Sequence, residues 1–296
     1  MNKEKMKLNS KIVGLAVTLL GGFGMTDVGA STQIEAGYLG FTSATRDDNP
    51  GAFNQSFAAL SHFSRDERNT FYQMLKVENP GKWVADKRVA FKSLTVWHYR
   101  LNEERTALWL QNFLGTHKHL TEDNFYLGLK QHFDCGALRF NLGLAGHYTV
   151  SQSNLTDKDY SGLSGVVLNG NSYYDLPVLP KGWKLNLDYT AAFGRDREHA
   201  AVFGYDDDYG HQLFAAVSGP LAQDLSLKLQ LTHYKSWGTA PNDGLEYSFS
   251  LRYAFYRHCY MRFQARRCDK IQRQQGAIKR PKVMTFGLLC YFSPPE

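Results

Sequence analysis

Strict alternation of apolar and polar residues dominates the second half of this 296-residue chain. Leu225, Leu227, Leu229 and Leu231 share one face of a run whose other face is Ser226, Lys228, Gln230 and Thr232. Leu245, Tyr247, Phe249, Leu251, Tyr253 and Phe255 stand likewise against Glu246, Ser248, Ser250 and Arg252. Successive side chains of an extended chain point to opposite sides, so each run is a strand with one apolar face. A helix would space its apolar residues three to four apart, and these runs do not.

The N-terminus carries Lys3, Lys5, Lys7 and Lys11, then an apolar stretch over residues 12–20, then a Gly-rich break. Val28-Gly29-Ala30 offers small residues for cleavage. This is the three-part layout of a secretory signal peptide, which makes residues 1–30 the leader and Ser31 the start of the mature domain, residues 31–296. The alternative, a permanent anchor, suffers from an apolar core short of the ~20 residues that cross a bilayer. No later segment approaches a spanning helix, and the mean hydropathy is -0.41. An exported chain with many one-sided strands fits an all-β, antiparallel up-and-down barrel in the bacterial outer membrane, where only alternate residues meet lipid. Aromatic residues, 14% of the chain, suit interfacial girdles and would suit a soluble sandwich equally.

The pattern predicts fourteen strands: 32–43, 53–63, 69–78, 88–100, 105–116, 124–133, 137–151, 183–194, 198–205, 211–219, 224–236, 245–255, 258–267 and 281–292. Twelve is the alternative, reached if 198–205 and one early strand are loop. Short and longer connections take turns between these strands, as tight periplasmic turns and extended outer loops do in such barrels. Residues 152–182 form the longest connection and are read as an inward constriction, a lid, a surface flap or an extra hairpin.

The formal net charge is +6. Its basic residues are scattered singly, with no dense run and no phosphate loop, which argues against nucleic acid. With leucine-rich faces on lipid, the opposite faces place Lys76, Lys92, Arg100, Lys130, Arg139, Lys184, Lys228, Arg252, Arg262 and Arg266 in the lumen, with His98, His132 and His147. The acids read on those faces are Glu78, Asp188 and Glu246. A basic lining between low-dielectric walls concentrates anions. The expectation is a passive, anion-leaning diffusion channel for small solutes. Lys130, Arg139, Lys184, Lys228, Arg252, Arg262 and Arg266 are its candidate contacts, and Arg262 with Arg266 and Arg252 forms the sharpest cluster. Charges paired across the lumen would instead plug it.

Of four cysteines, Cys259 and Cys290 would face each other across a hairpin, as a disulfide or as two buried thiols; the others are Cys135 and Cys268. None has zinc spacing, and neither metal nor cofactor is implied. Asp206-Asp207-Asp208 could bind calcium, but adjacent acids more often form a solvated run. His147, Thr149, Ser151 and Ser153 share a face, the raw material of a nucleophile and base. That face points inward, away from lipid substrate, so a lipid hydrolase is the least favoured class. A non-conducting receptor, adhesin or translocator barrel is the remaining alternative.

Across its full length the chain resembles Gram-negative outer-membrane β-barrels: signal peptide, alternation, and an apolar last run of Met284, Phe286, Leu288, Cys290 and Phe292. Size and strand number are similar to the monomeric porin-like channels. Residues 107–113 and 124–129 resemble the nucleoside-specific channel group. The resemblance implies contact with outer-membrane lipid and with the barrel assembly machinery. That machinery reads a terminal aromatic residue, whereas Phe292 is followed here by Ser293-Pro294-Pro295-Glu296.

Overall fold

The computed structural model describes residues 29–49, 51–82, 89–102, 105–238 and 240–255. Within them twelve strands follow one another around a closed antiparallel barrel. They are β1 (Gly29–Phe41), β2 (Gln55–Arg65), β3 (Asn69–Glu78), β4 (Ala90–Arg100), β5 (Thr106–His117) and β6 (Leu120–Cys135). After these come β7 (Leu138–Ser153), β8 (Lys158–Asp175), β9 (Lys184–Phe193), β10 (Gly210–Pro220), β11 (Leu225–Lys235) and β12 (Gly244–Phe255). The β1–β12 pair closes the ring, with Glu35 opposite Arg252, and leaves no free edge. Two short helices, α1 (Ser43–Asp48) and α2 (Arg197–Phe203), lie in connections on one rim.

The alternation translates directly into burial. Tyr247, Phe249, Leu251 and Tyr253 are 43–53% exposed on the outer wall, whereas Ser250 between them is 1% exposed. A surface of exposed leucine and aromatic side chains is stable only against hydrocarbon. By strand register, the positions read as inward that lie in the described residues share the face of the wall that carries Ser250.

The count of twelve matches the alternative rather than the fourteen first expected. The expected strands 258–267 and 281–292 lie outside the described residues. Inside them, two assignments change. The expected strand 198–205 is the helix α2, started by Asp196, whose side chain accepts the Glu198 N–H, and stopped by Gly204 at φ 74°. The long segment 152–182 contains β8, the extra hairpin among its readings. Alternation is hidden there by a bulge: the register skips between Gly146 and Tyr148, and Gly165 takes φ +76°. The two changes offset each other, so the parity of every later connection holds. The length contrast between rims is looser than expected, because β5 and β6 are joined by Lys118-His119 alone, not by a loop over 117–123.

Candidate functional site: the lumen

Because hydrogen-bonded rows cross a barrel wall obliquely, register sorts the lumen into bands. One row runs through Arg252 on β12, Glu35 on β1, Ala59 on β2, Lys76 on β3, Lys92 on β4, Gly115 on β5 and Glu122 on β6. The β11–β4 side of the lumen is therefore ionic. Glu78 anchors it, with Lys76 Nζ at 2.8 Å and Lys92 Nζ at 2.9 Å from one carboxylate oxygen. Its other oxygen accepts from Gln55 Nε2 at 3.1 Å. Glu35 accepts from Ser250 Oγ at 2.5 Å and lies 3.6 Å from Lys228 Nζ.

The β5–β10 side is built differently. Trp109, Gly128, Ala145, Val167 and Ala192 occupy one row, and the indole of Trp109 is fully buried among them. In the next row Lys130 lies flat, its ammonium 4.3 Å from the Trp109 ring centroid and 2.6 Å from Asn169 Oδ1. It can lie there because Gly143 faces it: a Cβ at that position would sit 2.5 Å from Lys130 Cγ. Asn169 also donates to Thr190 Oγ1 at 2.8 Å, and Asn171 to Asp188 Oδ2 at 2.9 Å. Amides and rings, rather than ion pairs, line this side.

Two outer connections fold into the bore. Trp237, between β11 and β12, packs on the Trp109 row, as does Val96 from the wall. Arg195, between β9 and β10, donates Nη2 to the Ser236 carbonyl at 3.0 Å and stacks 4.3 Å from the Tyr205 ring centroid. The Tyr205 hydroxyl donates to the Gly238 carbonyl, tying the two connections together. Thr156 Oγ1 donates to Val202 O at 2.9 Å, fixing α2 to the β7–β8 turn.

Lys130, Lys228 and Arg252 thus face the lumen as the pattern predicts. Arg139 and Lys184 face it too, at the rim opposite the helices, where Arg139 meets Asp175 at 3.6 Å. Arg262, Arg266, Cys259 and Cys290 lie outside the described residues; Cys135 is an exposed free thiol. Glu35 and Glu122 join the lumenal acids, so the lining is less one-sided than the sequence pattern indicates. Glu35 is readable from Gln33, Glu35 and Gly37 alternating with Ile34, whereas Glu122 hides in a segment read as loop. The inward serines do not form a catalytic pair with His147, whose Nδ1 faces Ser164 O at 3.1 Å and whose Nε2 faces Asn124 Oδ1 at 2.8 Å. Asp207 pairs with Lys235 at 3.2 Å, and no group of three metal-ligating side chains occurs among the described residues.

The sequence model of the nucleoside-specific channel-forming protein family, Tsx, matches residues 36–255. This chain belongs to that family. It is an outer-membrane β-barrel channel, and the match ends where β12 ends. Solved structures with similar barrels are remote from this Tsx-family chain. The KdgM porin is 12% identical with a TM-score of 0.45, over 76% of this chain and 99% of its own. An outer-membrane channel of Pseudomonas putida F1 is 11% identical with a TM-score of 0.42, over 79% and 98%. OprD of Pseudomonas aeruginosa is 9% identical with a TM-score of 0.35, over 76% and 95%. No curated protein sequence matches the chain.

Proposed function

We propose that this barrel passes nucleosides and solutes of similar size and polarity by passive diffusion. The observation that carries the reading is the two-sided lumen. One side is a closely packed wall of rings and amides that gives the bore a fixed contour, suited to a planar heterocycle; the other offers charged groups suited to sugar hydroxyls. The family assignment supports the same solute class. Liposome swelling tests it: a nucleoside should enter several-fold faster than a disaccharide of similar mass. Equal rates for both would reject nucleoside selectivity while leaving a general pore.

A mild anion preference belongs to the same reading. It is supported by Lys130, held by an amide and a ring rather than by an ion pair, and by Lys76 and Lys92, which share one carboxylate. Arg139, Lys184, Arg262 and Arg266 are proposed to extend it. Reversal potential in a salt gradient checks the sign, and a cation-selective pore would end the idea. Residues 1–30 are proposed as the cleaved leader, with Gly29 and Ala30, which pair with Arg65 and Ser64, lost from β1 on export. Outer-membrane lipid and the assembly machinery are its proposed partners.

A further inference from the structure

The helix α2 sits against lumen-facing side chains of β7 and β8, and a histidine forms the contact. His199 is 2% exposed. Its ring stacks on Tyr160 with centroids 5.4 Å apart and meets His147 edge-on at 5.6 Å. Ser164 Oγ accepts the Asp196 N–H at 3.2 Å and lies 2.6 Å from His199 Nδ1. The Ser164 hydroxyl thus ties the start of α2 to the His199 ring, and either the hydroxyl or Nδ1 can donate in that contact. The far nitrogen of the ring, Nε2, has no hydrogen-bond partner among the described atoms.

The surroundings leave no place for a charge on that ring. On the wall, Glu122 Oε1 accepts from Asn124 Nδ2 at 2.6 Å, while Asn124 Oδ1 and Ser164 O face the two nitrogens of His147. Those contacts direct Glu122 and Asn124 toward His147 rather than His199, whose Nδ1 meets Ser164 Oγ and whose Nε2 has no partner among the described atoms, so no carboxylate of β6 or β7 hydrogen-bonds the His199 ring. Tyr126 on β6 and Tyr160 on β8 are neutral phenols. Arg195, 5% exposed with Nε and Nη1 unpartnered, adds a fixed positive charge, as does none of its partners Ser236 and Tyr205. Asp196 is engaged in capping α2, and Glu198 points from its first turn. Burial first, then His147 and Arg195, hold the His199 imidazole far below its ordinary value, at about 3.

We propose that α2 is an acid-released latch: neutral His199 seats the helix in the bore, and protonation of His199 frees it and widens the passage. The sign follows from linkage. A group whose proton affinity is depressed in the docked state favours docking above its free value and undocks as pH falls below it. Docking weakens about tenfold for each pH unit below a free histidine value of about 6.5.

The inference rests on the channel reading, and the test separates the two. Conductance of the full chain in planar bilayers is compared at about pH 7.5 and about pH 5 for wild type and His199→Gln, whose amide preserves a polar contact without titrating. Hydrogen exchange at the Ala200 amide, which donates to Asp196 O at 2.9 Å in the docked helix, is followed in parallel. The expected result is at least a twofold rise in wild-type conductance in acid, with faster Ala200 exchange after correction for intrinsic rate, and both responses lost in His199→Gln. A wild-type acid response that persists undiminished in His199→Gln, or conductance and exchange independent of pH in wild type, overturns the latch. No conductance from folded wild type at either pH overturns the channel reading itself.

Discussion

The two sides of the lumen solve the same problem in different ways. Both must keep polar atoms satisfied in a wall wrapped by hydrocarbon. The β11–β4 side does so with mutual ions, two lysines on Glu78 and Lys228 on Glu35. The β5–β10 side does so with amides, and with small residues that let Trp109 and Lys130 lie against the wall. Ionic pairing sets a field across the bore and tolerates solvent. Close packing sets shape and excludes it. The same barrel scaffold therefore separates charge from contour, and each can be changed without the other.

The largest expected effect is on the packed side. Trp109→Ala removes a fully buried ring from the cluster it forms with Tyr126 and Val167, at a cost of about 3–5 kcal/mol. Urea unfolding of the detergent-solubilised barrel measures it; a loss well under 1 kcal/mol would show that the cluster does not act as a core. On the ionic side, Glu78→Gln leaves Lys76 and Lys92 facing each other without their shared carboxylate. The stability loss should be smaller, about 1–3 kcal/mol, since water reaches Lys92. The anion-to-cation permeability ratio should rise several-fold, and an unchanged ratio would mean that these lysines lie outside the conducting path. The smallest change concerns the folded-in connections. A Cβ at Gly210 would sit 2.5 Å from Arg195 Nη2 and 2.2 Å from Ser236 O. Gly210→Ala should thus displace the Arg195 clamp and raise conductance modestly while Trp109 keeps its environment, as read by near-UV circular dichroism.

How much of this was legible in the sequence follows from the range of the interactions involved. Strands β11 and β12 were readable because every second residue meets lipid, and with them the inward placement of Lys228 and Arg252. Strand β8 was not, because the run Val166-Val167-Leu168 is apolar on both faces and follows a bulge. Helix α2 imitates a strand: its His199, Ala201 and Phe203 alternate with Ala200 and Val202, and only Asp196 and Gly204 betray it. The convergence of Lys76 and Lys92 on Glu78 depends on register between strands, which no local pattern carries. The seating of Trp237 on the Trp109 row depends on a connection folding inward over a distance that sequence spacing cannot express.

The extra residue in β8 has an effect out of proportion to its size. Leu163 and Val166 both face outward although they stand three apart, and between them Ser164 turns its hydroxyl inward to His199. Shortening the strand by Gly165 would turn over one half of it like a page, sending either the lysine-bearing tip or the tyrosines near Asp175 to the wrong solvent. A family member lacking that insertion would have to anchor its inner helix by some other atom.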